Sequence, residues 1–554
     1  VGNLRTTPSS AEAGASVTVL WDDVNQGLAA TVGGWTNRVT VYNPATGETL
    51  VDARLAVDPT LPTEGAILAG GSHSRAYTFT LPDGLRAVGT LVVSVTTDVN
   101  GQMAETSDGN NSASTNLVVS KKKYPDVVPV SLDAPTSARG GDTITVRAGV
   151  YPISQPVTIS GKVGTEALPI KIVGERGAVL RATGEGVPGL WRGMVEIDDS
   201  AWVSVTSLAV ENSSFFGFRV YRSQNIRLSG NRSTVSLGSG IYANAVTGLT
   251  LLGNDVSRFC DRNAYGGGAG CQEGISLSAV DGFQVNGNLV HDAPQSAGVG
   301  PGGGEGIDIK AGSRNGMVGY NKVWNLVQLG IYVDGWSQGV SNVQVIGNRV
   351  WNTHMGIAVS SEAGGPVRDI SIRDNLIRDV GYDGVIIADF SVSSGGDGLR
   401  ERIRVSGNTI VNAGAKEAKP PYCALWSQGG PCPDYGTGIN VTSQNVRSML
   451  VCDNVIVGSK TAAMRMPPAV VATSTLRSNL LWPVSVGQTS NVVTGALAVV
   501  ADPLFVAPAS FDFHPMPGSP AIGAATCANA NSVDVDMVRR NVPPDLGALT
   551  YRAP

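Results

Sequence analysis

Three carboxyl groups and one lysine occupy matching places in a run of short hydrophobic segments, and this set could perform acid–base chemistry on a sugar. The carboxyl groups belong to Asp308, Asp334 and Glu362, and the cation is Lys310. A glycosidic bond breaks when one carboxylic acid protonates the leaving oxygen while a carboxylate attacks the sugar or activates water. We therefore predict that these four residues are catalytic.

A repeated glycine–isoleucine or glycine–valine step positions these residues, with its glycines at Gly274, Gly306, Gly330, Gly356, Gly384 and Gly438. Asparagines form a second series, at Asn231, Asn254, Asn288, Asn321, Asn348, Asn375, Asn408, Asn454 and Asn479. The closest asparagines are 23 to 27 residues apart, which is typical of a solenoid. We expect each asparagine to adopt left-handed backbone geometry at a turn and to bond to the next coil through its side chain.

Side chains alternate across a strand, so the apolar residues one and three places after each glycine should point inward. The residues two and four places after it should then point outward. Asp308, Asp334 and Glu362 fall on a diagonal, each one coil on and two residues further along, with Cα atoms roughly 8 Å apart. Lys310 shares a column with Asp334, and we expect the two to form an ion pair that keeps this carboxylate ionised.

Insertions between the repeats predict walls around this patch, in loops 255–272, 293–304, 391–401 and 414–436, because solenoid insertions usually project from the binding face. Tyr332, Trp336 and Trp426 could offer flat apolar surfaces to sugar rings. The full set of predicted substrate-binding residues is Glu305, Tyr332, Trp336, His354, Asp389 and Trp426. Each of these residues alone is more often structural, and the prediction depends on their convergence on one patch.

Composition excludes two classes of function. The formal net charge of −5 disfavours nucleic-acid binding, which requires a basic face. The sequence has no run of 18 apolar residues, so we expect no membrane span. Glycine is abundant, with 70 residues, and charged residues make up only 15%, which favours many short strands and tight turns over helices.

The six cysteines indicate a secreted or cell-surface protein of bacterial type. Cys260 and Cys271 bracket one glycine-rich loop, and Cys423 and Cys432 bracket another, as in loops closed by disulfides. Zinc is the competing interpretation, but no Cys-x-x-Cys spacing occurs and histidine is scarce. The remaining two, Cys452 and Cys527, either pair with each other or stay buried as small apolar residues.

Residues 1–120 are predicted to form a β-sandwich, because alternating runs such as Ser16–Trp21 and Ala76–Leu81 are separated by turn clusters. The segments Ala13-Gly-Ala-Ser-Val-Thr-Val and Glu105-Thr-Ser-Asp-Gly-Asn-Asn resemble the Ig-like cell-adhesion-related bacterial domain. Within it, Asp108, Asn110 and Asn111 form either a calcium site or a plain polar turn. A linker follows over residues 121–126.

Residues 127–554 resemble right-handed parallel β-helix proteins of the carbohydrate-active kind. The resemblance rests on the opening Gly140-Gly-Asp-Thr-Ile-Thr-Val-Arg-Ala-Gly-Val-Tyr and on the closing Asp502-Pro-Leu-Phe and Asp512-Phe-His-Pro-Met-Pro-Gly-Ser-Pro. It implies an all-β chain with a catalytic solenoid behind a small sandwich. The architecture itself hosts hydrolases, lyases, epimerases and binding proteins, so it leaves the reaction open.

A glycoside hydrolase acting on a carbohydrate polymer or oligosaccharide is the leading prediction, and it requires no cofactor. The first alternative is a polysaccharide lyase, with Lys310 as the base and Ca²⁺ bound by Asp308, Asp334 and Glu362. The patch has many carboxylates and one cation, which favours a neutral glycan over a uronate polymer. The second alternative is a non-catalytic glycan-binding adhesin. The sequence predicts neither a metal ligand set for the hydrolase nor an oligomeric state.

Overall fold

In a computed structural model the chain divides into two compact units, Val1–Val127 and Val128–Pro554. The structure describes residues 1–553 except 59, 62–63, 106, 123–137, 185, 262–270, 294–302, 392–395, 415–435, 484–494 and 528–531. Trp426 and the predicted Cys423–Cys432 pair lie outside the described residues, as do most of loops 293–304 and 414–436. Among the described residues no helix is both long and apolar enough to cross a membrane.

The first unit is a β-sandwich, as predicted. Its strands are β1 (Gly2–Thr7), β2 (Ser10–Glu12), β3 (Ser16–Val24), β4 (Trp35–Asn43), β5 (Glu48–Val57), β6 (Ser72–Thr80), β7 (Gly89–Thr96) and β8 (Ser112–Ser120), with 3₁₀ turns at Leu85–Ala87 and Asp108–Asn110. They form two sheets, ordered β1–β3–β6 and β2–β8–β7–β4–β5. Alternate residues of β3 are buried because one face of each sheet packs on the other.

The second unit is a right-handed parallel β-helix, also as predicted, and three ladders of parallel strands form its faces. The first ladder contains the glycine–isoleucine segments: β11 (Val157–Ser160), β14 (Gly193–Asp198), β17 (Phe216–Tyr221), β20 (Ile241–Leu252), β22 (Ile275–Asn286), β24 (Ile307–Lys310), β27 (Leu329–Asp334), β30 (Met355–Ser360), β33 (Val385–Ile387), β36 (Thr437–Val441) and β40 (Ala462–Arg465).

The second ladder shares the long strands β20 and β22 with the first, so the two form one continuous sheet. Its other strands are β9 (Thr143–Val146), β12 (Ile170–Gly174), β15 (Val203–Thr206), β18 (Gln224–Ser229), β25 (Arg314–Gly319), β28 (Val340–Ile346), β31 (Val367–Arg373), β34 (Arg400–Ser406), β37 (Val446–Arg447), β38 (Leu450–Cys452) and β41 (Thr475–Arg477).

The third ladder follows the asparagine turns and is a separate sheet. Its strands are β10 (Gly149–Ile153), β13 (Ala178–Ala182), β16 (Ala209–Ser213), β19 (Arg232–Ser236), β21 (Asp255–Ser257), β23 (Leu289–His291), β26 (Lys322–Trp324), β29 (Arg349–Trp351), β32 (Leu376–Arg378), β35 (Thr409–Val411), β39 (Val455–Val457), β42 (Leu480–Trp482) and β43 (Val499–Val500). Ile307, Ile309, Ile331 and Val333 of the first ladder are fully buried inside the coils, as the alternation predicted.

The asparagine series is a continuous hydrogen-bonded column. In each step the backbone N–H and the Nδ2 of one asparagine donate to Oδ1 of the next, as from Asn321 to Asn348 at 3.0 and 2.9 Å. The predicted left-handed geometry is wrong for the asparagines themselves. The residue before each one has the positive φ instead, for example Gly287 at 65° and Tyr320 at 56°. The turn is made one residue earlier, which leaves the asparagine extended enough to bond in both directions.

The chain ends in a C-terminal segment that packs on the outer face of the third ladder. It follows the short helix α1 (Pro468–Ala472) and contains the antiparallel strands β44 (Phe505–Ala507) and β45 (Asp512–Pro515), joined by a 3₁₀ turn at Pro508–Ser510. Its Phe513 and Leu549 pack in a buried cluster with Leu376 and Val411 of the third ladder. Disulfides join Cys260 to Cys271, as predicted, and Cys452 to Cys527, which resolves the alternative left open for that pair.

Candidate active site

The first ladder brings the predicted diagonal together. Strand β24 pairs with β27 so that Asp308 lies opposite Tyr332 and Lys310 lies opposite Asp334. Asp334 in turn lies opposite Ser360 of β30, two residues before Glu362. Because all three strands are in register, the diagonal of carboxyl groups follows directly from the repeat.

The patch is buried, although its residues point away from the interior of the coils. Asp308 and Asp334 are each only 2% exposed, and Tyr332 is 4% exposed. Apolar side chains that also point outward continue the same surface in one buried cluster, formed by Leu329, Tyr332, Met355, Ala358, Ile386 and Ala388. Carboxyl groups in such surroundings are poorly solvated, so their charged forms are disfavoured.

Lys310 does not form the ion pair with Asp334 that was predicted from the sequence. Its ammonium forms an ion pair with Glu273 and lies 3.0 Å from Oδ2 of Asp308. The long lysine side chain therefore extends back toward the preceding coil instead of across to the following one. Glu273 was not among the predicted site residues. It stands directly before a repeat glycine, just as Glu305 does, and this shared position in the repeat could have identified it.

One ammonium group cannot neutralise the three carboxyl groups around it, and their pKa values separate as a result. Burial opposes ionisation of Glu273, but the Lys310 ammonium prevails and lowers its pKa. Burial, followed by repulsion from Glu273, raises the pKa of Glu305 to about 8. Burial also raises the pKa of Asp308 well above its ordinary value, against the attraction of Lys310. Glu273 and Lys310 thus form the charged pair, and Glu305, whose pKa is about 8, holds its proton at neutral pH.

Three carboxyl oxygens of this group have no hydrogen-bond partner. Glu273 Oε2, Glu305 Oε2 and Asp308 Oδ1 are buried and accept no hydrogen bond from the described residues. Buried polar atoms usually have partners, so these oxygens retain the capacity to bind a ligand group. Oxygen atoms of this kind are also what Ca²⁺ prefers. Among the described residues, however, the group whose possible ligand atoms lie close enough together to hold a metal ion is a different one. It consists of Cys452, Asp453 and Cys527, and its two cysteines form a disulfide.

Asp334 and Glu362 lie side by side but in different electrostatic environments. Oδ1 of Asp334 accepts two backbone N–H bonds, from Trp336 at 2.9 Å and from Glu362 at 3.2 Å. Burial raises the pKa of Asp334, and these two bonds oppose that rise. The carboxyl group of Glu362 accepts a 2.7 Å hydrogen bond from the Tyr332 hydroxyl. Burial and the charge of Asp334 raise the pKa of Glu362 to about 7.

The remaining predicted binding residues lie at the margins of the patch. The Trp336 side chain is 42% exposed beside Asp334 and leaves apolar surface accessible. His354 is buried, with its ring centroid 5.3 Å from that of Tyr382, and burial lowers its pKa to about 4. Asp389 is exposed, and its Oδ1 accepts the backbone N–H of Ser391 in a local turn at 3.1 Å.

Asp383, like Glu273, is a buried acid that was not among the predicted site residues. It accepts a 2.8 Å hydrogen bond from Nδ2 of Asn440 and another from the backbone N–H of Thr437. Burial raises its pKa to about 6 despite these two donors. Like Glu273 and Glu305, it stands immediately before a repeat glycine, so that column of the repeat carries acids in three coils.

Comparisons with known proteins agree with this fold. A family model described as "Right handed beta helix region" matches residues 187–350. No curated protein matches the chain with significant sequence similarity. Among solved structures, pectate lyase Pel9A is 15% identical with a TM-score of 0.45, covering 75% of this chain and 89% of its own. The Family 28 exopolygalacturonase of Yersinia enterocolitica is 11% identical with a TM-score of 0.43, covering 89% and 98%.

One further solved structure matches a smaller share of the chain. The CARDB domain of a Pyrococcus furiosus protein, solved in complex with di-metal ions, is 12% identical with a TM-score of 0.17. It covers 22% of this chain and 92% of its own. These likenesses concern the fold, and the chemistry of the chain has to be argued from its own residues.

Proposed function

We propose that this protein is a glycoside hydrolase that cleaves a neutral polysaccharide or oligosaccharide on the first ladder of its β-helix. The observation that carries the proposal is the hydrogen bond from the backbone N–H of Glu362 to Oδ1 of Asp334. It joins two acidic residues in neighbouring coils whose carboxyl groups have different hydrogen-bond partners. Glycosidases need one carboxyl group that is protonated and one that is ionised. The pectate lyase and the exopolygalacturonase to which the fold is similar act on polysaccharides, which is consistent with a carbohydrate-active enzyme.

Glu362 is the proposed general acid, because its pKa of about 7 keeps it protonated in a neutral or mildly acidic medium. It gives its proton to the glycosidic oxygen as the bond to the leaving sugar breaks. Asp334 is the proposed carboxylate that attacks the sugar or activates water, since two backbone N–H groups stabilise its charged form. Asp308, Glu305 and the Glu273–Lys310 pair line the substrate position.

Lys310 is a poor candidate for the base of a lyase. Burial disfavours its charge, but Asp308 and Glu273 prevail and raise its pKa well above the ordinary value. A lysine in two ion pairs holds its proton and cannot abstract another. The proposed Asp334 carboxylate would also repel the carboxylate of a uronate substrate. Both arguments support hydrolysis of a neutral glycan over β-elimination.

Product analysis on a panel of neutral and uronate-containing glycans tests the proposal. Hydrolysis releases reducing ends without the ultraviolet absorbance of an unsaturated uronate, and chelation by EDTA leaves the rate unchanged. Unsaturated products that disappear with EDTA would establish a calcium-dependent lyase instead. Binding without any product would establish a glycan-binding protein. The two disulfides among the described residues support an extracellular location, which secretion of the full-length protein from its native host would test.

A further inference from the structure

A cavity of about 480 Å³ lies on the third ladder of the β-helix. The carboxyl patch, which contains Asp308, Asp334 and Glu362, lies on a different face, the first ladder. The floor of the cavity consists of the outward residues of three adjacent strands of the third ladder, with Lys322 opposite Arg349 and Trp351 opposite Arg378. The C-terminal segment forms the facing wall with Phe511 and residues 535–537. Its volume is within the range of small-molecule binding sites.

The cavity carries an excess of positive charge in a protein whose net charge is −5. Lys322, Arg349 and Arg378 line it together with one acid, Asp536, and Arg378 also pairs with Asp379 beside the cavity. Asp536 is already engaged by Arg349 and, at 2.7 Å, by Arg552. Lys322 is exposed and forms no ion pair with any described residue. Burial, together with the nearby guanidinium groups of Arg378 and Arg552, lowers the pKa of Arg349 against the raising effect of Asp534.

Arg378 is held in a fixed orientation within the cavity. Its guanidinium carbon is 5.3 Å from the ring centroid of Trp351 and 3.7 Å from that of Phe511, so the group lies between two aromatic rings. Nη1 donates to Asp379 Oδ2 at 2.6 Å, which is the one hydrogen bond of this side chain within the described part of the chain. The remaining N–H groups are therefore available to a planar oxyanion, which guanidinium binds in a bidentate manner.

Apolar surface borders the cations. Phe511 and Met537 are 55% and 61% exposed at the rim of the cavity, and both have left-handed backbone geometry, which is uncommon for bulky residues. The Trp351 ring is stacked on Trp324 on one face and covered by Arg378 on the other, so it contributes an edge and no free face. A ligand with both an anionic group and an apolar ring face suits these walls.

We propose that this cavity is a second glycan-binding site that accepts a sugar unit carrying a carboxylate or sulfate group. The anionic part of this assignment rests on the cavity alone, and the sugar part rests on the proposed function. The site differs in charge from the carboxyl patch, so one chain could hold an acidic unit of a mixed polysaccharide while a neutral linkage is cleaved elsewhere.

Calorimetric titration of the full chain tests the site. Glucuronic acid, galacturonic acid and glucose 6-sulfate are the probes, with glucose, galactose and inorganic sulfate for comparison. The Asp334→Asn variant is included so that a probe bound at the carboxyl patch is recognised by a change in affinity. At least one acidic sugar should bind more tightly than its neutral counterpart and more tightly than sulfate. Arg378→Gln should weaken that binding at least tenfold.

Arg402→Gln, an exposed arginine on the second ladder, is the matched control and should leave binding unchanged. Lys322→Gln carries the test if Arg378→Gln fails to fold, because Lys322 is exposed, and it should weaken binding severalfold. Equal affinity for neutral and acidic sugars, equal affinity for sulfate, no binding, or binding unaffected by both cavity variants would overturn the proposal. Absence of hydrolysis products with intact, cavity-dependent binding would instead refute the hydrolase alone.

Discussion

The backbone N–H of Glu362 donates to Oδ1 of Asp334 at 3.2 Å, so a hydrogen bond between two coils fixes the spacing of the two proposed catalytic carboxyl groups. Glu362 is additionally held by the Tyr332 hydroxyl, and Tyr332 precedes Asp334 by two residues on the same strand. Asp334 is the last residue of strand β27, and Glu362 lies in the turn that follows strand β30. A strand and the turn after the neighbouring strand therefore position the two groups together.

Asp334→Asn and Glu362→Gln should each reduce hydrolysis by about 10²–10⁴-fold, the usual contribution of a positioned acid or base. Both changes preserve shape and remove the titrating group. Initial rates of reducing-end release, measured with a substrate identified by the glycan panel, provide the test. Asp281→Asn is the control, because Asp281 is an acid in strand β22 that pairs with Arg314 away from the patch. Equal losses in all three variants would show that the effect is structural.

Tyr332→Phe should move the alkaline limb of the rate–pH profile to higher pH. Glu362 acts as an acid, so activity should fall as pH rises through its pKa of about 7. The Tyr332 hydroxyl lowers that pKa by bonding to the charged carboxylate. Removing the hydroxyl raises the pKa and keeps Glu362 protonated at higher pH. A rate–pH profile whose maximal rate falls while its alkaline limb stays at the same pH would argue against Glu362 as the titrating acid.

Lys310→Met should destabilise the β-helix by about 3–5 kcal/mol, the usual cost of removing one partner from a buried ion pair. The loss leaves Glu273 buried without its cation. The double variant Lys310→Met/Glu273→Gln should recover most of this stability, because no uncompensated charge remains. Chemical denaturation of the single and double variants measures the difference. If the effects of Lys310→Met and Glu273→Gln measured singly add up to that of the double variant, the pair is not coupled in the folded state.

The free energy of unfolding should decrease as pH rises from about 4.5 to about 8. Glu305 has a pKa of about 8 in the folded chain against an ordinary value of 4.5, so the folded state holds a proton that the unfolded state releases. Its contribution is complete below the unfolded pKa and is lost as pH rises through the folded one, at about 1.4 kcal/mol per pH unit. Thermal unfolding across this range should show a flatter profile for Glu305→Gln. An unchanged slope in the variant would assign the dependence to other groups.

Asn348→Ala should destabilise the solenoid more than any exposed amide substitution. The Asn348 side chain donates to Val318 O and to Asn375 Oδ1, both at 2.9 Å, and its own oxygen accepts from Asn321. Each buried group left without a partner costs about 1–3 kcal/mol. Asn342→Ala removes an amide from an exposed contact with Asn315 and is the matched control. Similar unfolding midpoints for both variants would contradict a structural role for the column.

The sequence predicted those features that the coil repeat controls. The diagonal of carboxyl groups and the inward isoleucines follow from alternation along a strand and from register between coils. The partner of Lys310 could not be predicted in the same way, because a long side chain can reach either neighbouring coil. Burial of the patch depends on what lies over the strands, which the repeat does not encode.

The second cavity could not be predicted from the repeat at all. It depends on the return of the C-terminal segment to the third ladder, where Arg349 meets Asp536 across 187 residues of sequence. No local pattern signals a contact of that range. The spacing of the cysteines, by contrast, predicted the Cys260–Cys271 disulfide, because its two cysteines bracket a single loop.

The stacked indoles of Trp324 and Trp351 give the protein an intrinsic optical reporter. Their ring centroids are 5.0 Å apart and their planes differ by 1°, so the two chromophores belong to successive coils yet lie within coupling distance. Such a pair contributes an exciton band to the far-ultraviolet circular dichroism spectrum, where the strong indole transition absorbs. Because that band requires two coils to stay aligned, its loss would record slippage between coils even where the total strand content is unchanged.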